Sequence, residues 1–183
     1  PFIHAQFAQQ TGVNIRYTAL LAPLDAFEST VITFRKNGGT GMNITVPFKF
    51  EAYSLATRLT ERAQAARAAN TFKFEQKNGI LGDNTDGIGL VRDIETNLNF
   101  PLANKHILLM GAGGAASGVI LPLLQQQPNL LAIANRTSSK AIALQQQFAT
   151  HGTVLGGHYQ DFVGQAFDLI INATSASLHN ALP

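Results

Sequence analysis

Six consecutive residues have the types and spacing to hold an anion. Gly111-Ala112-Gly113-Gly114-Ala115-Ala116 has the form Gly-x-Gly-x-x-Ala and follows the apolar run 106–110 directly. In such a run the first glycine permits a tight turn. The second leaves room for a pyrophosphate, and the small third residue lets the next helix pack close to the strand. Free backbone N–H groups and the positive helix end then face the phosphates. The same glycines alone would suit a turn made only for close packing. The strand before and the helix after favour a dinucleotide.

A second run bears on which dinucleotide. Asn135-Arg136-Thr137-Ser138-Ser139-Lys140 follows the next apolar run, 130–134. NAD-binding turns place Asp or Glu here, on the ribose 2′-hydroxyl. This run has no carboxylate to repel a 2′-phosphate. Arg136 can meet one with a planar fork, Lys140 adds a point charge, and Asn135 and Thr137 can donate hydrogen bonds. Cations are poorly placed at a helix start unless an anion visits it. The run therefore points to NADP rather than to a solvated basic turn. Asn172-Ala173-Thr174-Ser175 follows a further strand-like run. Polar groups at a strand's carboxyl end lie where such sheets bind ligands, although a plain turn explains them nearly as well.

Strands and helices must position these runs. Strands are predicted at 106–110, 130–134, 153–155 and 167–171. A helix bent by Pro122 follows the first, and one capped by Ser138 or Ser139 follows the second. This alternation predicts a parallel sheet with helices on both faces. Upstream, Pro1 suits the first turn of a helix with Phe2, Ile3 and Phe7 as its apolar face. Ile15, Tyr17 and Ala19 alternate as a strand. Leu24, Phe27, Val31 and Phe34 recur at helical spacing up to Gly38-Gly39. Met42, Ile44 and Val46 alternate again, placing Asn43 and Thr45 on the opposite face. One long helix is predicted from Ala52 to Ala66, then a hairpin about Asn78-Gly79. Asp83 to Asp86 supply capping residues for a helix carrying Ile88, Val91, Ile94 and Leu98.

The fold class is α/β. Residues 1–85 form a substrate-binding unit, 86–100 a connecting helix, and 101–183 a Rossmann-type NADP-binding unit with a parallel sheet. The sequence opens with a helical pattern already running and no Met, and stops just after a strand-like run. An N-terminal strand and a C-terminal part of the second unit are therefore expected outside it.

Composition narrows the function. Of 183 residues, 45% are hydrophobic and 13% charged, with a net charge of +2. That charge is too small, and Lys/Arg too scattered, for a nucleic-acid binder. No apolar run approaches the ~20 residues of a membrane span. Without cysteine, disulfides and thiol catalysis are excluded, which fits a reducing cytoplasm. His4, His106, His151, His158 and His179 lack metal-ligand spacing, so no metal is expected.

Further segments stand out in the first half: Asn43-Ile44-Thr45-Val46-Pro47-Phe48-Lys49, Ala69-Asn70-Thr71, and Gly82-Asp83-Asn84-Thr85-Asp86-Gly87. With the glycine turn and Asn135-Arg136-Thr137, they are similar in sequence and order to the shikimate dehydrogenase family, over essentially the whole chain. The resemblance implies a catalytic pair, Lys49 and Asp86, at the reacting hydroxyl or ketone. It implies substrate contacts from Asn43 or Thr45, Lys49, Asn70 and Asp86. It also implies cofactor contacts from Gly111, Ala112, Gly113, Gly114, Ala115, residues 135–140, Thr174 and Glu61. The family's Ser-x-Ser pair before Pro1, and a Tyr and a Gln beyond Pro183, are not in this sequence. The activity implied is reversible, NADPH-dependent reduction of 3-dehydroshikimate on the route to aromatic amino acids, by a monomer or homodimer.

The chemistry is consistent with these roles. Oxidising an alcohol removes a proton from oxygen while hydride leaves carbon, which needs a group able to take that proton. Lys49 has two roles open to it, proton carrier or electrostatic anchor. As isolated residues, Lys49 would read as a solvated lysine and Asp86 as a helix cap. Two other functions compete: a quinate-preferring or NAD-preferring dehydrogenase, and a non-catalytic NADP-binding module. The basic run at Arg136 opposes NAD, and the presence of both Lys49 and Asp86 opposes the module.

Overall fold

The computed structural model describes residues 1–174. Ser175 and His179 lie outside the described residues. In the first half, α1 (Phe2–Thr11) and α2 (Phe27–Lys36) precede β1 (Gly41–Asn43) and α3 (Lys49–Leu55). Then come β2 (Arg58–Leu59), α4 (Glu61–Ala66), β3 (Thr71–Phe74) and β4 (Ile80–Asp83). The strands form a mixed sheet in the order β1-β3-β4-β2. β3 and β4 are the hairpin that Asn78-Gly79 signals, although the positive φ of its turn is taken by Lys77. Phe27, Val31, Ile44, Ala52, Ala69 and Phe72 pack as its core.

Four readings of this half fail, the first being the strand over 42–46: β1 stops at Asn43, and Val46 is exposed ahead of Pro47. Residues 15–19 form no strand, because no neighbouring strand offers their backbone a ladder. Tyr17 is held through its side chain instead. The helix over 52–66 is broken into α3 and α4. Thr57 N–H donates to Ile80 O at 2.9 Å and Thr60 N–H to Gly82 O at 3.0 Å, which pulls β2 into the sheet beside β4. Thr60 then starts α4 afresh, its hydroxyl accepting from Ala63 N–H at 3.3 Å. Finally, α1 forms but buries none of its residues, so its apolar face has no cover among the described residues.

The connection is α5 (Asp86–Arg92), which runs on into one π-helical turn at Asp93–Asn97. The second half holds β5 (His106–Met110), α6 (Gly114–Leu124), β6 (Leu130–Ala134), α7 (Ser138–Phe148), β7 (Val154–Gly157) and β8 (Leu169–Asn172). Thr137, not Ser138 or Ser139, takes the cap position of α7, without a side-chain cap bond. The strands are parallel throughout, in the order β7-β6-β5-β8.

The helices do not cover both faces of this sheet among the described residues. Ile107, Leu109, Leu131 and Ile133 pack with α5, α6 and α7 on one side. The other side carries Ala132, Ala134 and the short turn around Phe162, and Ile170 there is 60% exposed. Successive right-handed crossovers that step the same way along a sheet lay their helices on one face. The chain reverses only at β8, beyond β5. No described helix is long and apolar enough to cross a membrane.

Candidate functional site

The C-terminal end of β4 and the start of α3 bring the first group together. Lys49 Nζ lies 2.7 Å from Asp86 Oδ2, with the lysine side chain 11% exposed and the aspartate 28%. Asn70 Nδ2 donates to the other carboxylate oxygen, Oδ1, at 2.7 Å. Asn70 Oδ1 accepts the Thr85 N–H at 3.0 Å, so one carboxamide holds both the helix start and its acid. A chain of bonds runs outward from there. Thr71 Oγ1 donates to Asn70 Oδ1 at 2.9 Å, Asn43 Nδ2 to Thr71 Oγ1 at 3.1 Å, and Tyr17 OH to Asn43 Oδ1 at 2.8 Å. Tyr17 in turn stacks on His4. Thr45 is exposed at the rim and its side chain makes no hydrogen bond.

Below the acid, Asp83 is gripped by Arg62, whose Nε and Nη2 donate at 2.7 and 2.5 Å, and by Thr60 Oγ1 at 2.6 Å. The Arg62 hydrogen bonds hold the Asp83 carboxyl below its ordinary range, against the opposing effect of burial. Arg62 is raised by the same contact. Glu61, next to it, is exposed and makes no hydrogen bond or ion pair. Geometry ties it neither to the acid nor to the glycine turn.

The second group lies at the carboxyl ends of β5, β6 and β8. Gly111 has φ +110°, and a Cβ there would sit 3.0 Å from Ala173 O, so both conformation and space require glycine. Nothing lies within 4 Å of a Cβ built on Gly113, which leaves the backbone open for a phosphate to approach. Ala116 is fully buried against the sheet. Arg136, Thr137, Ser139 and Lys140 are exposed around the start of α7, and Asn135 Nδ2 braces that turn by donating to Thr137 O at 2.9 Å. Burial raises the Tyr159 phenol, and the positive charge of Arg136 opposes that rise. Thr174 Oγ1 donates to Asn172 Oδ1 at 2.7 Å at the end of β8. Open glycine backbone beside an uncompensated basic turn fits the pyrophosphate and 2′-phosphate of NADP.

The two groups face each other across a close joint. A Cβ on Gly114 would lie 3.1 Å from Lys49 Cβ, so the lysine stem passes the first turn of α6. Ser117 Oγ donates to Ala66 O, and Gln147 Nε2 donates to Ala65 O at 2.6 Å. Both acceptors are carbonyls in the last turn of α4, which the helix itself leaves unpaired. A groove of about 720 Å³, lined by Leu24, Phe27, Pro47 and Phe50 among others, contains none of these residues.

Sequence reasoning missed Tyr17, Arg62 and Ser117, and took Asn84 only as a cap. Their partners lie 26, 21 and 51 residues away for the first three, which no local pattern signals.

Together, fold and site define a two-unit α/β protein in which a dinucleotide-type turn meets a buried lysine paired with a half-buried aspartate. The shikimate dehydrogenase substrate binding domain profile matches residues 1–72, and the shikimate / quinate 5-dehydrogenase profile matches residues 93–180. The shikimate dehydrogenase (NADP(+)) of Nitrosomonas eutropha is 79% identical over 183 residues, covering 100% of this chain. This chain spans 66% of that relative's length. An Ael1 enzyme from Pseudomonas putida, 51% identical, superposes with a TM-score of 0.88 over 100% of this chain and 67% of its own. The Thermus thermophilus shikimate 5-dehydrogenase, solved in complex with NADP(H) and shikimate, is 27% identical with a TM-score of 0.84, over 100% of this chain and 67% of its own. The chain belongs to the shikimate dehydrogenase family.

Proposed function

We propose that this chain carries the proton-handling pair and the glycine turn of an NADP-dependent shikimate dehydrogenase, which interconverts 3-dehydroshikimate and shikimate in the cytoplasm. The observation that carries this reading is the 2.7 Å contact between Lys49 and Asp86, next to a glycine turn that leads into α6. Gly111 to Ala115 take the pyrophosphate, and Asn135 to Lys140 the 2′-phosphate. Thr174 borders the crevice between them.

When bound, NADPH supplies the hydride to the ketone carbon. Lys49 places its ammonium at the ketone oxygen, stabilises the charge that develops there and gives that oxygen its proton. Asp86 holds that ammonium in place through their 2.7 Å contact. Asn70 fixes the carboxylate so that its free edge faces the substrate hydroxyls, with Asn43 and Thr45 at the rim. In the reverse direction Lys49 takes the hydroxyl proton as hydride leaves.

The test is NADP reduction, followed by absorbance, in a polypeptide of the relatives' full length, with shikimate as substrate. Quinate and NAD run in parallel. Turnover with shikimate and NADP that is lost in Lys49→Ala supports the reading. Oxidation of quinate alone, or NADP binding with no oxidation at all, overturns it.

A further inference from the structure

Asn84 has no assigned part in the chemistry, yet it sits between both groups. Its side chain is 1% exposed. Nδ2 donates to Ala68 O at 3.1 Å, and Oδ1 accepts the Asp86 N–H at 3.2 Å. That N–H opens α5 and has no partner within the helix, so Asn84 supplies the acceptor. The same carboxamide lies flat on α6. A Cβ built on Gly118 would fall 2.8 Å from both Nδ2 and Oδ1.

One face of α6 carries the glycine contacts of this joint. Residues four apart on a helix share a face. Gly114 faces the Lys49 stem, Gly118 faces Asn84 and Gly87, and Pro122 faces Gly87. A Cβ on Gly87 would lie 2.5 Å from Gly118 O, so α5 and α6 cross backbone to backbone there. The helix that begins at the glycine turn therefore touches the supports of both Lys49 and Asp86.

We propose that Asn84 is a positioning residue. Its carboxamide fixes Asp86 at the start of α5. By seating on Gly118, it also sets the spacing between the Lys49–Asp86 pair and the glycine turn. The kinetic consequence rests on the dehydrogenase reading above, while the spacing itself does not. Hydride transfer is sensitive to such spacing, since a 1 Å misplacement can lower a rate by ~10²-fold.

The experiment is a size-swap cycle in the full-length polypeptide: Gly118→Ala, Asn84→Ser and the double variant. The readouts are kcat, NADP affinity, melting temperature and, with no ligand present, hydrogen exchange at the Asp86 amide. The added methyl of Gly118→Ala should push the carboxamide aside. It is expected to lower kcat about tenfold or more and to speed Asp86 exchange, with NADP affinity and melting temperature nearly kept. Serine leaves room for the methyl and still accepts from the N–H two residues on. The double variant should then recover much of both losses.

Unchanged kcat and exchange in Gly118→Ala, or a double variant as impaired as the product of the singles, would overturn the proposal. So would a loss that only follows melting temperature. If Gly118→Ala fails to fold, Asn84→Asp takes its place. It keeps the shape but sets a carboxylate beside Asp86, so the acid limb of kcat/KM should move to higher pH. An unmoved limb overturns the proposal. If the unmodified polypeptide oxidises no shikimate, the reaction reading fails, and exchange at Asp86 alone decides the positioning role.

Discussion

Asn70 occupies the Asp86 carboxylate oxygen that Lys49 leaves free, each contact measuring 2.7 Å. The acid is therefore clamped from two sides, with its remaining lone pairs open to a ligand. Asn70→Ala removes that clamp and the acceptor of the Thr85 N–H. Leaving such groups unpartnered is worth about 1–3 kcal/mol, or about 5–150-fold. We expect kcat/KM for shikimate to fall within that range in steady-state assays. An unaffected kcat/KM would show that Lys49 alone orients Asp86.

Lys49→Ala should reduce kcat by about 10²–10⁴-fold, the usual contribution of a positioned proton-transfer group. Shikimate should still bind, measured by calorimetry or by protein fluorescence. Lys49→Arg keeps a charge but does not give up its proton near neutral pH. Activity restored by arginine would assign Lys49 the anchoring role, and activity absent in both variants the proton-carrying one.

Arg136→Ala should weaken NADP about 10–100-fold, since hydrogen bonds to a charged group contribute about 1.5–3 kcal/mol. NAD has no 2′-phosphate and should bind as before. Titrating both dinucleotides against both proteins checks this, and equal weakening would remove the phosphate from the Arg136 turn.

The Asp83 carboxyl titrates below its ordinary range because Arg62 donates to it. A carboxyl lowered by folding stabilises the fold above the ordinary carboxylate range. That contribution is lost as pH falls through the range towards the lowered value. Melting temperature should therefore drop more steeply on acidification in the unmodified protein than in Asp83→Asn, which has no such carboxyl. Parallel curves would show that the pair does not contribute to acid stability.

Much of the second unit is legible in the sequence. Strands 106–110 and 130–134 read as near-continuous apolar runs, the pattern of parallel strands, and the glycine turn sits between strand and helix. β6 is buried from Leu131 to Ala134, while β5 buries only Ile107 and Leu109. The first unit is less legible. The alanines from Ala52 to Ala66 keep helical spacing across a break that only pairing with β4 creates. The alternation at 15–19 reads as a strand, yet strands need partners that lie elsewhere in the chain. Lys49 and Asp86 stand 37 residues apart, and their pairing was implied by resemblance alone. The route from Asp86 through Asn70, Thr71 and Asn43 to Tyr17 depends on side chains converging from four segments, which no periodicity records.

Ser117 and Gln147 place their side chains on the last carbonyls of α4. Each unit thus finishes the hydrogen bonding of the other. Loosening the second sheet would strip the end of a helix in the first, and loosening α4 would strand one buried donor, Ser117, and one half-buried donor, Gln147, in the second. The two sheets should therefore melt as one cooperative block, with a single calorimetric transition, although each has a hydrophobic core of its own.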